Sequence, residues 1–171
     1  MNKKLIGFIL IIVIAIVTIS GCTGEQEETL IVFAKENLSF QYPETFVPIV
    51  FSHPSDPNYI VYEEYIEYEK DENIVVEIWE SNSPLQELYY NGERMYQQNS
   101  NITNFTLENI TIAGIPAVKS SVKYVPSYEK QYALRLFFPH NDNIYAISFW
   151  GNDLQSLESL YETVTQTIEL N

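Results

Sequence analysis

The one cysteine of the chain, Cys22, lies where a thiol could receive a lipid during export. The chain starts with Lys3 and Lys4, and an apolar stretch follows over residues 5–19. Ser20 and Gly21 come next and are small enough for the backbone to enter a peptidase cleft, while the thiol supplies a nucleophile for lipid attachment. The apolar stretch suits a signal peptide and is shorter than the roughly 20 residues of a spanning helix.

This order of segments resembles the lipobox of prokaryotic lipoproteins. It predicts that residues 1–21 are a signal peptide and that Cys22 becomes a lipidated N-terminus on the extracytoplasmic face of the cell membrane. Two lipid chains would anchor the protein stably, whereas one chain binds marginally. Residues 22–33 are then expected to be the lipidated cysteine and a polar, acidic tether to a domain over 34–171. The alternative is an uncleaved membrane helix with a bystander cysteine.

Charge excludes several classes of partner. The chain has 23 Asp and Glu against 9 Lys and Arg, and loss of the two lysines of the signal peptide would change its net charge from −14 to −16. A nucleic-acid binder needs a positive surface, and a peripheral binder of anionic lipid needs basic clusters. The composition therefore predicts no nucleic-acid partner, but it permits a cation or a basic protein.

The densest acidic run, over residues 63–72, is a candidate metal site. On a strand, Glu67 and Glu69 share a face and could hold a calcium ion together with a backbone carbonyl. The run lacks the glycine and the alternating oxygen ligands of an EF-hand loop. A solvated strand face explains the run better, so no metal or cofactor is predicted.

Catalytic patterns are missing from the sequence. It has no GxGxxG, Walker-type, GxSxG or HExxH motif. His53 and His140 would have to meet in space with a carboxylate to form a catalytic or metal pair, and both are interpreted as loop residues. Trp79 and Trp150 could stack on sugars, although packing in a sheet is the simpler interpretation. The chain is not expected to be an enzyme.

Asparagine glycosylation is a further possible modification. Four sites fit the Asn-x-Ser/Thr pattern, and the strongest candidates are Asn101 and Asn104. The other two, Asn37 and Asn109, lie near expected strands that could hide them. Because asparagine is abundant in this chain, coincidence could account for some of these matches.

Alternating apolar residues and turn residues predict the elements that carry these groups. Strands are expected at 38–42, 46–51, 59–68 and 74–79, and two hairpins are expected from strands at 105–112 with 116–124 and at 132–138 with 144–150. Ser83 and Pro84 predict a helix start that runs to about Gln98, with Gly92 on its apolar stripe. A second amphipathic helix is expected over 153–169. The order predicts an α+β fold with helices on an antiparallel sheet.

Three phrases in this order resemble the PsbP-like family, the extrinsic proteins of photosystem II and their non-photosynthetic prokaryotic relatives. They are residues 38–46 (LSFQYPETF), residues 110–117 (ITIAGIPA) and residues 144–149 (IYAISF) before the final helix. The resemblance covers residues 34–170 and implies an αβα sandwich without known catalysis.

The resemblance also implies a role. As in extrinsic subunits, the expected function is a non-enzymatic, lipid-anchored accessory module that docks onto a protein complex of the membrane or envelope. The alternative is an extracytoplasmic lipoprotein that binds a solute or cation for a transporter or sensor. A docking module should expose a flat apolar patch, whereas a binding protein should keep a concave pocket with aromatic side chains and a few convergent polar groups.

Overall fold

The structure is a computed structural model that describes residues 28–49, 60–68, 72–80 and 84–171. The predicted signal peptide, Cys22 and the start of the tether lie outside these residues. The described part of the chain forms ten strands and two helices, which are β1 Leu30–Lys35, β2 Leu38–Pro43, β3 Val47–Ile49, β4 Ile60–Tyr68, β5 Glu72–Glu80, α1 Leu85–Gln98, β6 Ile102–Ile112, β7 Ile115–Tyr124, β8 Tyr132–His140, β9 Asn143–Gly151, α2 Leu154–Gln166 and β10 Glu169–Leu170.

The strands form two antiparallel sheets. A seven-stranded sheet has the order β3-β4-β5-β9-β8-β7-β6, and a three-stranded sheet has the order β1-β2-β10. Most neighbouring strands of the large sheet are also consecutive in the chain. The exception is the pair β5 and β9, because β9 lies between β5 and β8. This arrangement confirms the expected α+β class with a central antiparallel sheet.

The main core lies on one face of the seven-stranded sheet. Successive side chains of a strand point to opposite faces, so Tyr145, Ile147 and Phe149 of β9 point to the same side. There they join a core cluster that includes Leu157 and Val164 of α2 and the buried aromatic residues of the small sheet. Helix α2 and the three-stranded sheet therefore cover this face.

Helix α1 lies on the opposite face of the large sheet. Tyr96 packs with Val122, Tyr124 and Ala133 in a smaller cluster, and Trp150 of β9 lies against the same cluster. Because Trp150 follows Phe149 directly in the strand, the two side chains are on opposite faces. With one helix on each face of the sheet, the αβα layering is as predicted.

Two tight turns close the hairpins. Ala113 and Gly114 both have positive φ between β6 and β7, and Asn141 and Asp142 do so between β8 and β9. Two consecutive positive-φ residues are typical of the type I′ turn, whose twist matches that of the flanking strands. Both hairpins were predicted, but the second turn is shorter than expected because His140 and Asn143 belong to the strands.

The last helix begins as predicted and ends earlier. Asp153 is its N-cap, and its Oδ1 accepts a hydrogen bond from the Ser156 amide at 2.9 Å. The helix was expected to reach Glu169 but stops at Gln166, because Thr167 has left the helical conformation and its Oγ1 accepts the Gln41 amide at 2.9 Å. Residues 169 and 170 then pair with β2.

The first helix ends at the predicted residue, Gln98. It begins at Leu85, with Pro84 as the N-cap and no side-chain cap hydrogen bond. Ser83, the expected capping residue, lies outside the described residues.

The small sheet includes a strand that the sequence analysis did not list. Residues 30–33, assigned there to the tether, lie in β1, where Ile31 pairs with Tyr42 and Phe33 is buried against Phe40 with ring centroids 4.6 Å apart. Among the described residues, no helix is both long and apolar enough to cross a membrane.

Tyr161 of α2 makes the packing of this helix sensitive to alkaline pH. Burial, with a smaller contribution from Glu108, raises the pKa of Tyr161 from 10.0 to about 12. The folded state therefore favours the neutral phenol. Its stabilising contribution is complete below the unfolded pKa and is lost as the pH rises from 10 through 12.

When the pH is raised from about 9 to about 11, we expect the free energy of unfolding to fall less for Tyr161→Phe than for the wild type. The variant has no phenol at position 161 that loses its proton more readily in the unfolded state. Urea denaturation at both pH values measures the difference, and Tyr90→Phe on the exposed face of α1 is the control. Some decline should remain in the variant, since burial also raises the pKa of Tyr124 and Tyr145. Equal declines for Tyr161→Phe and the wild type would contradict the assignment.

Candidate functional site

Polar side chains interrupt the apolar strands on the α1 face of the large sheet. Ser120 of β7 pairs with Arg135 of β8, and Arg135 pairs with Ser148 of β9. Ser148 in turn pairs with Val75 of β5. Directly paired residues of antiparallel strands point to the same face, so the three polar side chains form one row across the middle of the sheet.

One end of this row fixes helix α1. The Tyr96 hydroxyl and the Ser120 hydroxyl are 2.9 Å apart in a buried hydrogen bond. Tyr89 of the same helix donates a longer hydrogen bond, 3.4 Å, to the carbonyl of Leu107 in β6. The helix is therefore held to β6 and β7 by polar contacts as well as by packing.

Arg135 lies at the end of a column of aromatic rings. Its guanidinium carbon is 5.0 Å from the centroid of the Trp150 ring, a cation–π contact. Trp150 stacks on Tyr124 at 5.7 Å, and Tyr124 stacks on Tyr128 at 4.5 Å. Burial raises the pKa of Tyr124, so the phenol of this residue is neutral at ordinary pH.

Three buried polar atoms near the row have no hydrogen-bond partner among the described residues. They are Oγ of Ser148, Nε of Arg135 and Oδ1 of Asn73. Asn73 pairs with Trp150 in the neighbouring row, so it lies on the same face as the other two. Ser148 is only 1% exposed. A buried donor or acceptor without a partner costs about 1–3 kcal/mol, so these atoms mark a place where a partner of their own is expected.

A cavity of about 350 Å³, here called the helix cavity, lies between α1 and the sheet. Trp79 and Phe137 stack along its wall with ring centroids 6.4 Å apart. Gly92 of α1 contributes no side chain, and the nearest atom to a Cβ there would be Leu107 Cδ2 at 4.0 Å. The full lining is Trp79, Leu88, Asn91, Gly92, Met95, Tyr96, Leu107, Val118, Arg135 and Phe137.

A second cavity, here called the strand cavity, has a volume of about 540 Å³ and lies over β5, β8 and β9. All three of the unpartnered polar side chains line it, and so do charged residues of both signs. Its lining is Asn73, Val75, Glu77, Tyr128, Glu129, Lys130, Arg135, Ser148 and Trp150. Arg135 lines both cavities, which are together called the groove below, with an apolar part and a polar part on either side of this residue.

Of the predicted metal ligands, only Glu67 is described. It is half-buried on β4, where its Cα pairs with that of Asn73, while Glu69 lies outside the described residues. No group of three or more His, Cys, Asp or Glu that could hold a metal occurs in the described part of the chain. The calcium site stays an untested alternative to the solvated strand face that the sequence favours.

The described histidine, His140, is at the end of β8 and not in a loop. Its Nε2 is 3.0 Å from Asn141 Nδ2 and 3.3 Å from the carbonyl oxygen of Asn171. His53, the other member of the possible pair, lies outside the described residues.

Both tryptophans are half-buried and line the groove, Trp79 in the helix cavity and Trp150 in the strand cavity. Both rings pack in the sheet, which was the simpler interpretation from the sequence, and both also line a cavity.

All four acceptor asparagines are exposed. Asn101 directly precedes β6 and Asn104 is near the start of this strand, as expected for accessible sites. Asn37 and Asn109 are exposed as well, although nearby strands were expected to hide them. Asn37 is in the β1–β2 turn with positive φ, and Asn109 is exposed on β6.

Sequence reasoning did not single out Arg135, Ser148, Asn73 or Ser120. A signal for Arg135 was present, because it is a lone cation in the apolar stretch Ala-Leu-Arg-Leu-Phe, at a position that shares its face with Ala133 and Phe137. The serines and the asparagine carried no comparable signal, since such residues are common at strand ends and in turns.

An antiparallel sheet with a helix on each face, and a groove beneath one of the helices, defines the class of this domain. Its architecture is similar to the solution structure of cyanobacterial PsbP (CyanoP) from Synechocystis sp. PCC 6803. The TM-score is 0.61 at 14% sequence identity, and the match covers 88% of this chain and 98% of that one. The chain therefore has a PsbP-like fold, as its sequence phrases implied.

A crystal structure of a protein of unknown function from Pseudomonas aeruginosa matches less well. Its TM-score is 0.41 at 13% identity, with 78% of this chain and 91% of that one covered. No family model matches the chain, and no curated protein matches it in sequence.

The contribution of the Tyr96–Ser120 hydrogen bond to stability can be measured with two single variants and the double variant. Tyr96→Phe leaves a buried serine hydroxyl without its partner, and Ser120→Ala leaves the phenol without its partner, so each is expected to cost about 1–3 kcal/mol of unfolding free energy. The double variant should cost less than the sum of the two, with a coupling energy of about 1 kcal/mol from urea denaturation. Additive costs would show that the contact does not hold α1 to the sheet.

Proposed function

We propose that this protein is a non-enzymatic, lipid-anchored extracytoplasmic domain that binds a small solute in the groove under α1. The observation that carries the proposal is that three residues with an unpartnered buried polar atom line one cavity, and that one of them, Arg135, also lines an apolar cavity. Ligand sites of proteins typically combine an apolar lining with a few convergent polar groups in a volume of about 300–1,000 Å³. The groove has these properties.

The exposed apolar surface gives less support to docking, the role that the sequence analysis placed first. Among the described residues, the large exposed hydrophobic side chains lie on β1, β3, α1 and the loop before β8, and they are Leu30, Val32, Val47, Ile49, Tyr90, Met95 and Tyr128. A docking module is expected to gather such residues in one patch. Solute binding therefore ranks first here.

Docking onto a protein complex of the envelope remains the second candidate because two of the edge strands carry exposed apolar side chains. Val32 on β1 and Val47 on β3 are each 62% exposed, and both strands are at the edge of their sheets. An edge strand has unpaired backbone groups that another chain can use. These edges are separate from the groove, so a change within the groove would leave docking of this kind intact.

The membrane anchor is part of the proposal and has its own test. Lipid on Cys22 would place the domain at the outer surface of the cell membrane, with the residues before β1 as the tether. In a host that processes lipoproteins, the intact mass of the wild-type protein should equal residues 22–171 plus lipid. Cys22→Ser should keep residues 1–21, and Thr23→Ala should be processed normally. A wild-type mass that retains residues 1–21 would contradict the anchor.

Gly92 offers a way to fill the helix cavity without disturbing the fold. A Cβ at this position meets only Leu107 Cδ2 at 4.0 Å, and replacing a helical glycine by alanine usually stabilises a protein by about 0.5–1 kcal/mol. We expect Gly92→Leu to remain folded but to place its side chain in the cavity, where a ligand could no longer enter. Gly92→Ala is the matched control, because it gains helix propensity and leaves most of the cavity open.

The experiment is to purify full-length wild type, Gly92→Ala and Gly92→Leu from native membranes and to compare the small molecules that co-purify by mass spectrometry. The wild type and Gly92→Ala should carry compounds that Gly92→Leu lacks. Melting curves of the three proteins check that all are folded. Identical small-molecule profiles for three folded proteins would overturn solute binding in the groove.

A further inference from the structure

We infer that the solute is a free α-amino acid with a large apolar side chain. The side chain would occupy the helix cavity, and the α-carboxylate and α-ammonium groups would lie in the strand cavity. The inference rests on the proposed function, because it names the class of solute for the same groove.

The carboxylate end is defined by donors. Arg135 carries a permanent positive charge, and its buried Nε–H has no hydrogen-bond partner among the described residues. The Ser148 hydroxyl, on the directly paired position of β9, can donate beside it. A carboxylate accepts hydrogen bonds from both kinds of donor, and a guanidinium is the side chain best matched to it.

The ammonium end is defined by acceptors on β5. Oδ1 of Asn73 is buried without a partner among the described residues, and it can only accept. Glu77 is on the same face of the strand and also lines the strand cavity. An ammonium group donates three hydrogen bonds and so suits an amide oxygen next to a carboxylate.

The mixture of charges in the strand cavity favours a zwitterion over a simple ion. Arg135 and Lys130 bring positive charge, and Glu77 and Glu129 bring negative charge. A ligand with charge of one sign would meet both attraction and repulsion there. A zwitterion can direct each of its charged groups toward groups of the opposite sign.

The helix cavity determines which side chain the amino acid can carry. Arg135 is the one charged residue in its lining, and the other described residues are mainly apolar, with the Trp79 and Phe137 rings along one wall. A polar side chain would lose its water there without gaining a partner. An aromatic or long aliphatic side chain would bury its surface against these rings.

The test uses L-phenylalanine and three analogues with the full-length protein in detergent micelles, measured by isothermal titration calorimetry. Phenylpropionate lacks the ammonium group, phenylethylamine lacks the carboxylate, and glycine lacks the apolar side chain. Phenylalanine should bind at least about tenfold more tightly than each of the three, because each analogue leaves one part of the groove without its partner.

Two substitutions assign the ends. Arg135→Gln should weaken phenylalanine and phenylpropionate by about tenfold or more and leave phenylethylamine unchanged. Asn73→Leu should weaken phenylalanine and phenylethylamine and leave phenylpropionate unchanged. Lys123→Gln is the charge control, because Lys123 is exposed and its Nζ lies over the Tyr132 ring at 5.7 Å, away from the groove.

Failure of this inference can be told from failure of the proposed function. Absence of phenylalanine binding to the wild type, or equal binding of phenylalanine and its analogues, overturns the amino-acid assignment. An Arg135→Gln variant that binds phenylalanine like the wild type overturns the placement of the carboxylate. In each case solute binding itself is tested separately, by the molecules that co-purify with the wild type and not with Gly92→Leu.

Discussion

Strand β9 is buried on both of its faces, and the rest of the fold is arranged to keep it so. All six residues from Ile144 to Phe149 are buried, which is uncommon for an antiparallel strand that could leave one face in water. The strand must therefore lie inside the sheet, between β5 and β8, and both faces of the sheet need a cover there. The chain provides a different cover for each face.

The two covers are unequal, and the groove results from the difference. On one face, α2 and the three-stranded sheet together form the main core. On the other, α1 is a single helix about 10 Å across, which is about the width of two strands in a sheet with a spacing of roughly 4.8 Å. It packs mainly on β6 and β7, so most of the face of β5, β8 and β9 is left to long side chains and to the two cavities.

The sequence predicted this architecture well and the groove poorly, for physical reasons. Alternating apolar residues and paired turn residues are local signals, so the hairpins around Gly114 and Asp142 could be located from the sequence. β1 was missed because its short apolar run adjoins an acidic segment that has the composition of a tether. Helix α2 was extended too far because its end depends on Thr167 and Gln41, which are far apart in the chain.

The site was harder to predict because it depends on which residues meet across strands. Ser120, Arg135 and Ser148 come from three strands, and only the register of the sheet places them in one row. A serine in a strand pattern has no meaning by itself. Arg135 alone could have been noticed, since a lone cation in a stretch of apolar residues has to find a partner or a cavity.

The unpartnered atoms support the proposal that this groove has a role beyond stability. Ser120 and Ser148 are both buried serines in the same row, but Ser120 has the Tyr96 hydroxyl as its partner and Ser148 has none among the described residues. An alanine at position 148 would fill nearly the same volume and remove a cost of about 1–3 kcal/mol. Asn73 and Arg135 present the same problem on the same face. Three such groups lining one cavity can all be satisfied by one occupant, either ordered water or a bound solute.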